Sequence, residues 1–159
     1  MPLDPPVRAF VAVGSNLGER VATVRRALQA LGELPQTRLL ARSGLYRAAP
    51  REAARGDDFI NAVAALETRL TAERLLDALL ALERQAGRQR PYHHAPRTLD
   101  LDLLLHGQAR LDSPRLTLPH PRMAQRAFVL VPLAEIAPQC VTAQALAAVA
   151  GQAIERVAD

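Results

Sequence analysis

The order of strand-like and helix-like segments is the feature that most limits the folds open to this chain. Val7–Gly14 is apolar on both faces, as in the centre of a sheet, and Leu39–Arg47 is expected to be a more exposed strand. Phe59–Thr68 alternates with period two, with Asn61 on the face of Phe59. A fourth strand is predicted at Thr98–His106, where aspartates interrupt a run of leucines.

Segments with helical spacing separate these strands. Apolar residues after Gly14 recur at intervals of three and four, and Asn16 with Glu19 is expected to form a capping box at the start of that helix. Thr71 is expected to cap the second helix. The first helix is expected to end near Gly32, and the second to run from its cap at Thr71 to near Gly87. Two C-terminal helices are expected near Ala127–Ile136 and Ala143–Ala158.

The resulting order, β-α-β-β-α-β with a helical tail, predicts an α+β fold. Two split β-α-β units form a ferredoxin-like antiparallel sheet with helices on one face, and additional C-terminal helices cover the other face or leave it open as a site. A chain of 159 residues is long enough to bury a core without disulfides, so a single domain over residues 1–159 is expected.

Composition narrows the compartment and the partners. The single cysteine, Cys140, excludes an internal disulfide framework and fits a reducing cytosol. The N-terminal residues lack a signal-peptide pattern, and no stretch approaches the roughly 18 apolar residues of a membrane span. We therefore expect a cytoplasmic protein with no membrane partner.

The net charge of +4 comes from a chain whose basic residues are all arginine. Genomic base composition explains this as well as function does. Alternatively, some of the arginines bind phosphate, because the planar guanidinium suits two oxygens at once. The P-loop, dinucleotide-binding and nucleophile-elbow motifs are all missing from the sequence, so any ATP site here is not a P-loop.

Asp100 and Asp102 are the most unusual polar residues in the chain. On a strand, side chains two apart point to the same face about 7 Å apart at the backbone, while the intervening leucines point to the other face. Such carboxylates can hold Mg²⁺ together with substrate phosphates. The alternative is an exposed acidic face or pairing with nearby arginines; Leu104 continues the aspartate face as an apolar position.

Other polar residues have two interpretations each. Glu83 shares the apolar side of its helix and either pairs with an arginine at the rim or contacts a ligand. Asn61 is either a satisfied structural residue or reads the edge of a flat heterocycle beside Phe59. His120 is either structural or, beside arginines, a phosphate contact.

Taken together, these stretches resemble the 6-hydroxymethyl-7,8-dihydropterin pyrophosphokinase family of folate biosynthesis. The resemblance runs from about Val7 to Pro138 and is most specific in the combination of R-T-L-D-L-D with P-H-P. The landmarks that carry it are VAVGSNLG, LYR, FINAVAALET, LERQAGRQR, PRTLDLDLLLHG, LTLPHPRM and RAFVLVPLAEIAP.

The resemblance implies transfer of pyrophosphate from ATP to the pterin's hydroxymethyl oxygen, with release of AMP and with two Mg²⁺ ions bound by Asp100 and Asp102. It implies an assisting role for Asp102 in removing the hydroxyl proton. The remaining implied positions are Arg88, Arg97 and His120 as catalytic and phosphate-binding residues; Glu83, Arg90 and Arg126 in the ATP site; and Ala48, Ala49, Phe59, Asn61, His94 and Phe128 in the pterin site.

Two positions depart from the family pattern. In the family, a loop aromatic closes over the pterin, and this position aligns with His94 here. An imidazole ring covers less area than the usual aromatic. The alternative is that the neighbouring Tyr92 substitutes for the usual aromatic. The loop after Ala48 reads A-A-P and G-D-D where the family usually has T-x-P and Q-P. Both loops, Ala48–Asp58 and Gly87–Pro96, are expected to act as lids.

Two other classes compete with the enzyme. A nucleic-acid-binding sheet would suit the basic charge but needs exposed aromatics, and the chain has only 3% aromatic residues. A small-ligand regulatory domain would not need an aspartate pair. We therefore expect ATP and the pterin as partners, no nucleic acid, and a monomer.

Overall fold

The computed structural model describes residues 5–16, 18–49, 58–87 and 99–159. Its strands and helices follow the predicted order, with three further short strands. The strands are β1 (Val7–Ser15), β2 (Thr37–Arg42), β3 (Leu45–Ala48), β4 (Phe59–Thr68), β5 (Asp100–His106), β6 (Leu111–Asp112), β7 (Thr117–Leu118) and β8 (Ile154–Val157); the helices are α1 (Arg20–Gly32), α2 (Ala72–Gly87), α3 (Ala127–Ile136) and α4 (Ala143–Ala148).

The main sheet has the order β5-β1-β4-β3-β8, and every pair in it is antiparallel. The expected strand at Leu39–Arg47 is divided at Ser43 and Gly44 into β2 and β3, which pair with successive parts of β4. Ser43 keeps the break bound to the sheet, because its hydroxyl accepts from the Val63 N–H. The α+β prediction with a ferredoxin-like sheet is confirmed.

The period-two prediction for β4 is confirmed by the two faces of the sheet. Ala62 and Ala64 lie in the core that α1 and α2 cover, whereas Val63 and Ala65 lie in the core on the α3 side. The central strands are therefore buried on both faces over their middle parts.

The predicted helix at Ala143–Ala158 is wrong beyond Ala148. The chain turns through Gly151 and returns as β8, which pairs with β3. The unpaired edge of β3 offers backbone partners to this β-branched segment, and such tertiary pairing overrides the helical tendency of the alanines.

The two helix starts turned out differently. Thr71 caps α2 as predicted, since its hydroxyl accepts from the Arg74 N–H at 3.2 Å. The capping box predicted from Asn16 is wrong, because α1 begins at Arg20 with Glu19 as its N-cap residue. Within the part of the chain that the structure describes, no helix is long and apolar enough to cross a membrane.

Candidate active site

A pocket of about 350 Å³ opens where β1, β4, β5 and α3 meet. It contains both aspartates, the asparagine and the two phenylalanines that the sequence singled out. Its lining residues are Ala12, Val13, Gly14, Ala48, Ala49, Phe59, Asn61, Glu83, Asp100, Asp102, Arg126 and Phe128.

The strand register explains why these side chains converge. Gly14 of β1 pairs with Asn61 of β4 on one side and with Asp100 of β5 on the other. Ala12 lies in the same way beside Asp102. Because paired residues of antiparallel strands share a face, the acidic and amide side chains stand around a floor of small residues.

Gly14 keeps this floor open, a role that its local sequence did not indicate. A Cβ at this position would lie 3.1 Å from the Asn61 side-chain oxygen and 3.6 Å from the Phe59 ring. The local sequence shows only a glycine before the first helix. The role depends on cross-strand partners, and one of them, Asn61, is 47 residues away in sequence.

The prediction that the aspartates share a face is confirmed. Asp100 and Asp102 both line the pocket, while Leu101 and Leu103 are buried against the helix layer. Leu104 continues into the core on the α3 side, as predicted. The Asp102 side chain remains 44% exposed, so the carboxylate is open to the pocket.

Two basic residues face Asp102 from the chain beyond β5. The His120 Nε2 lies 3.9 Å from Asp102 Oδ1, and an Arg126 guanidinium nitrogen lies 3.8 Å from Asp102 Oδ2. These separations exceed a hydrogen bond, so the three groups surround a space instead of closing onto one another. A phosphate oxygen placed there would meet two donors.

The contacts of His120 define its ring orientation. Its Nδ1 accepts a hydrogen bond from the Arg122 N–H at 3.2 Å, which places the proton of a neutral ring on Nε2, toward Asp102. Burial lowers the pKa of His120 below its usual value; the charge of Asp102 opposes this, and those of Arg126 and Arg122 reinforce it. The ring therefore points its Nε2 toward Asp102 and Arg126.

Asn61 and the phenylalanines form the other end of the pocket. Asn61 is only 4% exposed, and its amide donates to the Phe59 carbonyl over a long 3.5 Å. Phe128 lies at the start of α3, and the Arg126 guanidinium stands 5.5 Å from its ring centroid. An amide beside aromatic rings suits the edge and the faces of a flat heterocycle.

Glu83 reaches β5 from the end of α2. Its Oε2 accepts a hydrogen bond of 2.8 Å from the backbone N–H of Leu101, the residue between the two aspartates. The structure therefore adds a backbone contact to the two interpretations of Glu83 that the sequence allowed.

Ala48 and Ala49, which the family resemblance implies for the pterin site, also line the pocket. Several predicted site residues lie outside the described residues. These are Arg88, Arg90, His94 and Arg97, together with Tyr92 and most of both expected lids.

The donor set fits a hard cation that shares its shell with a ligand. In the described ranges, no group of three or more His, Cys, Asp or Glu side chains is placed to hold a metal ion. Two adjacent carboxylates in a pocket are instead the pattern that Mg²⁺ uses when phosphates complete its oxygen shell. The pocket thus combines a place for a cation and phosphates with a place for a flat ring.

Comparison with known families agrees with this chemistry. Residues 10–138 match the family model described as 7,8-dihydro-6-hydroxymethylpterin-pyrophosphokinase (HPPK). A curated relative from Pseudomonas aeruginosa, 2-amino-4-hydroxy-6-hydroxymethyldihydropteridine pyrophosphokinase, is 52% identical over 82% of this chain and 81% of its own length. A protein of the same name from Haemophilus influenzae is 43% identical over 82% of each chain.

Solved structures support the fold. A Plasmodium falciparum HPPK-DHPS matches 85% of this chain with a TM-score of 0.65 at 11% identity. A second HPPK-DHPS structure, in complex with substrates, matches 85% of this chain with a TM-score of 0.58 at 13% identity. The chain spans about two fifths of these longer chains, 42% and 41% respectively.

Proposed function

The chain belongs to the 7,8-dihydro-6-hydroxymethylpterin-pyrophosphokinase family, and we propose that the pocket between β1, β4, β5 and α3 is its active site. It is a pyrophosphokinase that transfers the pyrophosphoryl group of ATP to the hydroxymethyl group of 6-hydroxymethyl-7,8-dihydropterin, in folate biosynthesis. The hydroxymethyl oxygen bonds to the β-phosphorus, the bond from that phosphorus to the α-phosphate oxygen breaks, AMP leaves, and the hydroxyl proton is released.

The observation that carries the site assignment is the shared face of the sheet. The strand register sets Asp100 and Asp102 on one side of Gly14 and Asn61 on the other. A reaction that joins a phosphate chain to a heterocycle needs these two kinds of group across one short gap.

We assign the pterin to the end of the pocket that holds Asn61. Its buried amide offers donors and an acceptor to the pterin edge, and Phe59 and Phe128 supply aromatic surface for the ring faces. Ala48 and Ala49 line the same pocket from the end of β3. His94 is proposed as the residue that covers the pterin from the second loop.

We assign Asp100 and Asp102 as ligands of two Mg²⁺ ions, which bind with ATP and supply charge neutralisation on its phosphates. His120 Nε2 faces the proposed phosphate space, and Arg126 adds a guanidinium beside it. Asp102 is also proposed to assist removal of the hydroxyl proton. Glu83, Arg88, Arg90 and Arg97 complete the proposed ATP site, with Arg88 and Arg97 acting on the transferred phosphates.

The first experiment follows AMP. Purified protein with ATP, fresh reduced pterin and Mg²⁺ is expected to form AMP and the pterin diphosphate in equal amounts, and chelation by EDTA is expected to stop the reaction. AMP formation that persists in EDTA would contradict the metal assignment, while absence of pterin-dependent AMP would contradict the activity.

The second experiment tests the two carboxylates. Asp100→Asn and Asp102→Asn keep side-chain size but remove the charge, so each is expected to lower kcat by about 100-fold or more. Asp112→Asn, at an exposed residue of β6, is the matched control and is expected to retain wild-type kcat. Circular dichroism checks the fold, and wild-type rates in both site variants would remove the pair from the site.

Analytical ultracentrifugation tests the accompanying proposal that the protein is a monomer.

A further inference from the structure

The Gln152 side chain forms hydrogen bonds with the backbone of the residues on both sides of Arg126. Its Nε2 donates to the carbonyl of Gln125 at 2.8 Å, and its Oε1 accepts from the N–H of Ala127 at 3.0 Å. One amide thus satisfies backbone groups on both sides of a residue that lines the pocket.

Arg126 occupies a junction whose direction depends on such support. It lies between the 3₁₀ turn Met123–Gln125 and α3, and its backbone is extended, with φ −126° and ψ 111°. Ala127 is the first residue of α3, so its N–H has no acceptor within the helix. The Gln152 oxygen supplies that acceptor, and its amide nitrogen holds the turn on the other side.

The side chain of Arg126 reaches both halves of the pocket. Its guanidinium lies 3.8 Å from Asp102 and 5.5 Å from the centroid of the Phe128 ring. A small rotation at this junction would therefore move the phosphate-side cation and the aromatic ring together.

Gln152 is itself well placed to act as a fixed support. It lies in the turn between α4 and β8, and its N–H donates to the carbonyl of Val149 at 3.0 Å. Val149 is buried against α3, and β8 is bound to β3. Gln152 lies beyond residue 138, where the match to the family model ends.

We propose that Gln152 is a positioning residue, which holds Arg126 and Phe128 in register with the aspartate pair. The proposal rests on the proposed function for this pocket, because Arg126 must bind the nucleotide phosphates for its orientation to matter. The proposed role of Gln152 is exerted through the backbone groups on either side of Arg126, without a substrate contact of its own.

The test measures nucleotide binding apart from turnover. Calorimetry measures the Kd of each protein for α,β-methylene-ATP in the presence of Mg²⁺. The proteins compared are the wild type, Gln152→Ala, Gln152→Glu and Arg126→Ala. Gln152→Ala is expected to raise this Kd by about 5-fold, because two backbone groups lose their partner. Gln152→Glu keeps the acceptor for Ala127 but loses the donor, so a smaller rise is expected.

A double-mutant cycle separates positioning from a general effect on stability. If Gln152 acts through Arg126, then adding Gln152→Ala to Arg126→Ala produces no further rise in Kd. Asp159→Asn is the control, since it weakens a different tie of the same C-terminal segment, to Arg42 and Arg25, and is expected to keep the wild-type Kd.

Each outcome has one meaning. A wild-type Kd in Gln152→Ala, while Arg126→Ala is impaired, overturns the positioning role and leaves the site assignment standing. A wild-type Kd in Arg126→Ala removes Arg126 from the nucleotide site, and the positioning role falls with it. An equal rise in Kd on both backgrounds also overturns the proposal. If Gln152→Ala does not fold, Gln152→Glu decides by the same comparison.

Discussion

At the scale of single residues, the aspartate strand is held from its outer edge by Glu83. Leu101 lies between the two aspartates, and its N–H donates a hydrogen bond of 2.8 Å to the Glu83 carboxylate. Hydrogen bonds to charged acceptors contribute about 1.5–3 kcal/mol to stability. A side chain from another element thus anchors the strand between Asp100 and Asp102.

Glu83→Ala removes this acceptor, whereas Glu83→Gln retains an oxygen for it without the charge. We expect hydrogen exchange at the Leu101 amide to rise at least 10-fold in Glu83→Ala and to stay within about 3-fold of wild type in Glu83→Gln. Measured by NMR or mass spectrometry, fast exchange in both variants would show that the charge matters instead of the backbone bond.

Gly14 acts at the same scale through the space that it leaves. In Gly14→Ala the new methyl group meets the Asn61 oxygen at 3.1 Å, so the amide must move by a few tenths of an ångström. We expect the pterin KM to rise about 5-fold, which corresponds to roughly 1 kcal/mol, with a smaller change in the KM for ATP.

The matched control for this variant is Gly151→Ala. A Cβ there meets nothing within 4 Å, so unchanged steady-state constants are expected. A larger effect on ATP than on pterin in Gly14→Ala would contradict the placement of the pterin beside Asn61.

At the scale of elements, Glu135 ties α3 to β3. Its carboxylate oxygens accept from the Gly44 N–H at 3.1 and 3.0 Å, and one of them accepts from the Tyr46 hydroxyl at 2.6 Å. Tyr46 is the cross-strand partner of Asn61. The helix that carries Phe128 is therefore bound to the strand beside the asparagine.

This tie predicts a dependence of stability on alkaline pH. Burial, followed by the hydrogen bond and charge of Glu135, raises the pKa of Tyr46 from 10.0 to about 12. The unfolded chain then loses the tyrosine proton first, so the stabilisation is complete below pH 10 and is lost as the pH rises toward 12.

Urea unfolding measures this effect well, because the sequence has no lysine to titrate in the same range. The free energy of unfolding of the wild type is expected to fall on the order of 2 kcal/mol more than that of Tyr46→Phe between pH 10 and 12. Tyr92 is present in both proteins and serves as an internal control. Parallel pH profiles would contradict the raised pKa.

At the scale of the whole molecule, the C-terminal segment closes the sheet on the side of β3. β8 pairs with β3 along its full length, and Asp159 at the end of the chain forms an ion pair with Arg42 at 2.6 Å. Arg156 lies 3.8 Å from Glu135 and 6.0 Å from the centroid of the Tyr46 ring. This segment thus supports the same tie between α3 and β3.

Deletion of residues 154–159 removes β8 but keeps Gln152. We expect a loss of roughly 2 kcal/mol, or a fall in Tm of roughly 4–8 °C for a chain of this length, because the edge of β3 is left unpaired. Calorimetry compares this variant with one that lacks only residues 158–159. Equal Tm values for the two would show that the ion pair, and not the strand, carries the effect.

Local periodicity determined much of this protein. Period two put Asp100 with Asp102 on one face and alternated β4 between two cores, since these relations follow from backbone geometry within a few residues. The position of Thr71 before an apolar helix was likewise enough to predict its cap. The family resemblance supplied the activity, and the matched relatives confirmed it.

Only the tertiary structure decided how these pieces meet. Gly14 became a pocket floor through partners on two other strands, Gln152 came to bracket Arg126, and β8 replaced a predicted helix by pairing with β3. Each outcome depends on register and on contacts between residues distant in sequence. Propensity describes which backbone conformation a residue favours locally. These contacts depend instead on the strand edges and backbone groups that still need hydrogen-bond partners once the sheet has formed.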